Sequence, residues 1–404
     1  MADVRPRAGL RALALLTVLF LAGAPSLGRQ AAEDVERPRA RALGIAPGVL
    51  ATGPLNAITD VDGVRVGHAT LIEGDSVRTG VTAIVPHGGN VFQQKAPAAV
   101  WAANAFGKAA GFLQVRELGT LESPIVLTNT LSVGTAVEAV VAWTLGQAGN
   151  EAVTSVNAVV GETNDGWLND IRRQAIRGQH VVAALDAAGS GPVEEGSIGA
   201  GTGTVLYGWK GGIGTSSRRL PDSLGAYTVG VLVQSNFGGV LTVDGARVGE
   251  ALGRYSFRDE IEAAPAGAAV EGSAASAHRA REGDGSCMIV VATDAPLTSR
   301  DLERLARRAP LGLARTGSFI SNGSGDFVIA FSTAYRVAHD SDSPVEQRTV
   351  LRTDALSPLF LAVVEATEEA VYNSLLRATT VSGQRGRVVE AIDVEALQGV
   401  LGRR

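Results

Sequence analysis

One cysteine, Cys287, stands in 404 residues. A lone thiol forms no intramolecular disulfide and cannot supply a cysteine-based zinc or iron–sulfur site. Histidine is scarce too. His68, His87, His180, His278 and His339 make no HExxH motif, and nothing in their spacing marks a Ser–His–Asp triad. Only Lys95, Lys108 and Lys210 are lysines, which reads as genome composition. The chain carries no excess of positive charge: 36 basic against 41 acidic residues give a net charge of -5. It is therefore a poor general binder of nucleic acid. Charged residues make up 19% and hydrophobic residues 45%, which excludes a disordered chain.

Long apolar runs are missing, with one exception. Arg5, Arg7 and Arg11 precede an apolar run, Ala12 to Ala24, and Ser26 and Gly28 follow as small residues. Thirteen residues are short for a membrane span and suit the core of a secretory signal. The expectation is a signal peptide over 1–28 and an exported, periplasmic protein with no stable membrane partner. The alternative is an uncleaved anchor. Cutting after Gly28 removes three Arg and Asp3, leaving 33 basic and 40 acidic residues, net -7.

What is abundant is glycine: 50 residues, about 12% against a usual value of about 7%. Much of it lies in GSIGAGTG (196–203) and GWKGGIGTSSR (208–218). Gly199–Gly203 lacks the GxGxxG spacing of a dinucleotide loop and no GKS or GKT follows, so close backbone approach is the better reading.

Alternation predicts strands over 61–68, 81–86, 125–127, 155–160 and 229–234, with residues 161–166 a polar turn. Continuous apolar runs at 288–292 and 327–331 predict strands buried on both faces. Helices are predicted over 96–113, 133–145, 299–315 and 353–378, and an arm or first helix over 29–47. The pattern implies sheets covered by helices. Residues 260–285 are Ala-, Gly-, Glu- and Ser-rich and read as an exposed linker.

That linker ends at Asp284-Gly285-Ser286-Cys287, just before a buried strand. An N-terminal nucleophile needs this arrangement. Cutting Gly285–Ser286 places an α-amine, with a pKa of about 7.7–8.0, on the residue that carries the hydroxyl. The amine can then act as the base, and no histidine is required. A plain loop-to-strand boundary is the alternative. In Asn322-Gly323-Ser324-Gly325-Asp326, Ser324 and Asp326 share a face if extended and could hold an amine; a polar turn is the alternative.

These residues belong to longer motifs. TGPLNAITD (52–60) with VRVGH, VVGETNDGWLND (159–170), GTGT, GGIGTSSR, VGVLVQSNFG, GSCMIVVATDAPL (285–297) and NGSGDFVIAFST (322–333) follow in order along nearly the whole mature chain. In them the chain resembles the L-aminopeptidase/D-amidase-esterase (DmpA) and β-peptidyl aminopeptidase (BapA) family. The resemblance implies a four-layer αββα sandwich of DmpA and ornithine acetyltransferase type, an α/β fold with layers like those of N-terminal-nucleophile hydrolases. It implies self-cleavage between Gly285 and Ser286 into an α chain (29–285) and a β chain (286–404) that together form one catalytic domain. Ser286 matches the nucleophile, Ser324 and Asp326 the groups that position and polarise it, Asn236 the oxyanion-hole amide, and Glu162 the acid that binds the substrate's amino group. The expected substrates are short peptides, amino-acid amides or esters, β-peptides included. No metal or cofactor is expected, and the assembly expected is a tetramer of αβ heterodimers. Cys287 reads as a small buried hydrophobe, and the loops around Trp167 and Phe237 as tuning specificity. Two other readings are an acyltransferase of the ornithine acetyltransferase type, whose nucleophile is Thr, and an unprocessed binding protein.

Overall fold

A computed structural model of the chain describes residues 37–263 and 285–403. The expected signal segment, and all of the linker except its first four residues and Gly285, lie outside the described residues. One sheet has the order β1-β2-β5-β6, with β1 (Arg65–Glu73), β2 (Val77–Val85), β5 (Ile125–Asn129) and β6 (Val159–Thr163). The larger sheet has the order β13-β3-β12-β11-β10-β9. Its strands are β3 (Gln94–Ala105), β9 (Ile213–Arg219), β10 (Thr228–Asn236), β11 (Ser286–Thr293), β12 (Gly325–Ser332) and β13 (Val337–Ala338), with β4 (Thr120–Leu121) alongside β3. Two short hairpins complete the set: β7 (Val205–Leu206) with β8 (Trp209–Lys210), and β14 (Val381–Ser382) with β15 (Val388–Val389). Among the described residues no helix is long and apolar enough to cross a membrane.

The layers follow from side-chain alternation along β11. Met288, Val290 and Ala292 pack between the sheets against Ile84, Ile125, Leu127 and Val159. Cys287, Ile289 and Val291 point the other way, into a core shared with the helices Ser299–Ala306, Ala309–Arg315 and Ser357–Leu376. Val81, Ala83, Val126 and Val160, on the far face of the smaller sheet, meet the helices Val133–Leu145 and Gly178–Asp186. The result is helix, sheet, sheet, helix. Because β11 is covered on both faces, its sequence reads as an unbroken apolar run.

Three sequence expectations change. Residues 96–113, expected as a helix, form most of β3 instead, and a helix begins only at Phe112. Alanine favours helix by a few tenths of a kcal/mol per residue, but strand context overrides so small a preference. Ala98 and Val100 fill the inter-sheet core, Ala99 faces the outer one, and Ala98–Ala105 pairs with β12. Pro97 lies just outside that paired stretch. The second change is that β6 starts at Val159, so Gly161-Glu162-Thr163 is strand rather than turn. Its polar residues are buried with partners: Glu162 accepts from the Lys108 N–H and the Thr130 hydroxyl, and Thr163 Oγ1 accepts from Gln234 Nε2 at 2.9 Å. Third, the helix expected over 299–315 breaks into two at Arg307 and Arg308.

Candidate active site

β11 and β12 run parallel, and β10 runs antiparallel to β11. The C-terminal end of β10 therefore lies at the same sheet edge as the starts of β11 and β12. The register pairs Asn236 with Ser286, Ser286 with Gly325, and Cys287 with Asp326. The smaller sheet comes very close at this edge: a Cβ on Gly161 would lie 2.3 Å from Met288 Cε. That contact brings Glu162 of β6 to the start of β11. Gly285, Ser286, Asn236, Glu162 and Gly323 open into one cavity of ≈ 1030 Å³, and Trp167 and Phe237 line it too.

Gly285 is held on two sides. A Cβ there would lie 2.5 Å from Phe237 Cα and 2.8 Å from Asn236 O, so a larger residue would push β10 aside. Its carbonyl accepts the Gly325 N–H at 3.2 Å. The peptide bond before Ser286 is thus the first rung of the β11–β12 ladder, with its carbonyl already polarised.

The Asn236 amide has a fixed orientation. Its Oδ1 accepts the Val205 N–H at 2.9 Å and its Nδ2 donates to Asn164 O at 3.1 Å. One Nδ2 hydrogen is left over, on a residue lining the cavity. Glu162 is 3% exposed. Its Oε1 accepts the Lys108 N–H at 2.9 Å and its Oε2 accepts the Thr130 hydroxyl. Both donors are neutral, and no described cation pairs with the carboxylate. A buried carboxylate without a counter-ion favours a cationic ligand.

Ser324 and Asp326 lie beneath the cavity and are almost fully buried. Burial pushes the Asp326 carboxyl up to about 6, with the nearby Ser324 hydroxyl acting against it. Yet neither Ser324 Oγ nor either Asp326 oxygen has a partner in full hydrogen-bond geometry. By register Asp326 shares a row with Cys287, not with Ser286. The Ser286 nitrogen lies in the plane of the sheet, between the two faces, so a group on the neighbouring row can still serve it. Burial, and then the charge of Asp326, raise the Cys287 thiol well above its ordinary range, as suits an inert buried residue.

Sequence reasoning missed the groups that hold these side chains. Thr130 and the backbone N–H groups of Lys108, Val205 and Gly325 leave no local signature. Lys210 did offer a signal, as one of three lysines. It is fully buried and donates to Gly201 O at 2.8 Å and Gly211 O at 2.6 Å, tying the 3-10 turn Gly199–Gly201 to the link between β8 and β9. Burial pulls it down to about 7, opposed by the charge of Asp165, itself pushed up to about 7 by burial.

Residues 56–389 match the family model of peptidase family S58. The chain is 40% identical over 401 residues to the β-peptidyl aminopeptidase BapA of Sphingosinicella microcystinivorans, covering 96% of each. It is 39% identical over 407 residues to BapA of Sphingosinicella xenopeptidilytica, covering 97% of this chain and 96% of that one. Among solved structures it is similar to the L-aminopeptidase D-Ala-esterase/amidase of Ochrobactrum anthropi, described as a prototype of the serine aminopeptidases and a variant of the Ntn hydrolase fold. There the TM-score is 0.79 at 37% identity, covering 91% of this chain and 99% of that one. A β-aminopeptidase of Burkholderia sp. gives 0.80 at 40%, with the same coverage. The four layers described above are the DmpA-type arrangement that the resemblance implied.

Proposed function

We propose that this chain, which belongs to peptidase family S58 and is an aminopeptidase, is exported and cuts its own Gly285–Ser286 bond to make Ser286 an N-terminal nucleophile. It then removes N-terminal residues from short peptides, amino-acid amides or esters, β-peptides among them. The observation that carries this reading is the shared cavity: Ser286, at the start of β11, opens into the same space as the cation-free carboxylate of Glu162. The relatives found are aminopeptidases, which favours hydrolysis over acyl transfer to ornithine. A tetramer of αβ heterodimers is the assembly proposed.

Self-cleavage begins with Ser286 Oγ attacking the Gly285 carbonyl carbon. The Gly325 N–H receives the developing oxyanion. The C–N bond breaks, the hydroxyl proton passes to the Ser286 nitrogen, and an ester joins Gly285 to Ser286 Oγ. Water hydrolyses that ester to a Gly285 carboxylate and a free Ser286. In turnover the new α-amine takes the Oγ proton as Oγ attacks the substrate carbonyl. The ammonium so formed is stabilised by Asp326 and Ser324. The free Nδ2 hydrogen of Asn236 donates to the substrate oxyanion, and the ammonium then protonates the leaving amine, which leaves the acyl group on Oγ. Water, giving a proton to the regenerated α-amine, attacks that ester, and the proton returns to Oγ as the carboxylic acid leaves. Glu162 holds the substrate's own ammonium.

Two predictions arise here. Glu162→Gln keeps the shape and removes the charge, so kcat/KM should fall about 10–150-fold, the value of a charged hydrogen bond of roughly 1.5–3 kcal/mol. Steady-state kinetics on a dipeptide reads this, and an unchanged KM would remove Glu162 from substrate binding.

The second concerns Asp326 before cleavage, when no ammonium faces it. Its folded pKa of about 6 is raised, so its contribution to stability is present below the ordinary carboxylate pKa and is lost as pH rises through about 6. Between pH 4 and 7, uncleaved Ser286→Ala should lose on the order of 2–3 kcal/mol relative to Ser286→Ala/Asp326→Asn. Urea unfolding at the two pH values measures it. A difference that does not change with pH would mean that Asp326 already has a partner.

A further inference from the structure

One wall of the cavity joins two pieces of chain. The loop after β6 supplies Trp167, Asp170 and Arg172, and the β14–β15 hairpin is pinned onto it. Gln384 Nε2 donates to Gly166 O at 2.6 Å and to Asn169 O at 2.7 Å. Arg387 donates to Trp167 O at 3.0 Å, and its guanidinium lies 4.0 Å from the centre of the Trp167 ring. A hairpin fastened at this many points presents its tip in a fixed place.

At that tip Arg385 has φ 59° and ψ 27°, and Gly386 follows with φ 67°. Two consecutive left-handed residues suit Asn-Gly or Gly-Gly. Arginine there costs roughly 1–2 kcal/mol. Strain of this kind persists where the side chain has a use. Arg385 and Arg172 line the cavity, are exposed, and have no hydrogen-bond or ion-pair partner for their guanidinium groups among the described residues. The nearby acids do not cancel them. Glu390 is taken by Arg254 at 2.6 Å and Arg258 by Glu262 at 3.0 Å, which leaves Asp170 and Asp259 against Lys108, Arg172, Arg385 and Arg387. The cavity thus holds a buried anion at Glu162 and spare guanidinium groups on this wall.

We propose that Arg385, assisted by Arg172, binds the free C-terminal carboxylate of a short peptide substrate, so that the enzyme prefers peptide acids to the matching peptide amides. This rests on the reading that Ser286 reacts in this cavity with Glu162 on the substrate's ammonium. A short peptide with both termini free carries both charges at neutral pH, whereas its amide carries only the ammonium. Guanidinium is the side chain whose planar donors match a carboxylate. A cavity of ≈ 1030 Å³ has room for such a ligand.

The test compares one tripeptide as free acid and as C-terminal amide, using the self-processed wild type, Arg385→Asn and Arg385→Asn/Arg172→Gln. Asparagine accepts the left-handed turn, so the hairpin keeps its shape. The wild type should favour the acid. In Arg385→Asn the acid-to-amide ratio of kcat/KM should fall on the order of 10-fold through KM, with kcat for the acid changed less than about threefold, and the double variant should abolish the preference. Turnover of the amide reports that each variant is folded. Equal preference in all three proteins, or a loss confined to kcat, would overturn the proposal. A wild type that hydrolyses neither form would instead overturn the Ser286 reading on which it rests.

Discussion

Ser286→Ala should purify as one uncut chain with no aminopeptidase activity. The substitution deletes one oxygen at a buried position that opens β11, so the sheet register and the cavity should survive. Two reactions then stop together. Without Oγ nothing attacks the Gly285 carbonyl, and without that cut Ser286 has no α-amine. Loss of a serine nucleophile has cost on the order of 10⁶ in kcat in a serine protease, and here the base is lost with it. A denaturing gel and a peptide assay read both effects. Circular dichroism matching the wild type would confirm that the fold is kept. A variant that still splits at the same bond would show that Ser286 is not the attacking group.

Asn236→Ala should lower kcat about 10²–10³-fold with little change in KM, the effect of removing one oxyanion donor. Alanine also deletes the acceptor for the Val205 N–H, which packs the β7–β8 hairpin against β10. Asn236→Asp keeps an acceptor for Val205, loses the Nδ2 donor to Asn164 O and to the oxyanion, and adds a negative charge where the oxyanion forms. Both variants should lose kcat, and Asn236→Asp, whose charge opposes the oxyanion, should lose at least as much as Asn236→Ala. Self-cleavage should persist in both, because Gly325 rather than Asn236 donates to the Gly285 carbonyl. A kcat within threefold of the wild type in Asn236→Asp would take Asn236 out of the oxyanion site.

The layers were legible in sequence where burial writes a simple pattern. MIVVA and FVIAF are continuous because β11 and β12 are covered on both faces, and the helix Val133–Leu145 has the bounds its apolar spacing implied. β3 was not legible. Its alanines favour helix in isolation, and only the neighbouring β12 and two packed layers override that preference. Glu162 was named through the resemblance, but its place in a strand was hidden for a related reason: GETND has the composition of a turn, and its first three residues extend β6, where the Lys108 N–H and the Thr130 hydroxyl meet the buried carboxylate. Motifs in order singled out Ser286, Ser324, Asp326 and Asn236; that they meet at one sheet edge, with Asp326 in Cys287's row, is seen only in the strand register. Arg385 gave little warning beyond the GQRG turn around it. Its interest comes from a backbone angle and from the lack of a partner, both properties of the folded chain.

The central claim is that the bond before Ser286 breaks and frees the nucleophile. Intact mass combined with N-terminal sequencing of the purified wild-type protein tests it most directly. The account predicts two chains, one ending at Gly285 and the other beginning Ser286-Cys287-Met288. A single chain that stays whole while it hydrolyses peptides, or a new N-terminus at any other residue, would contradict it.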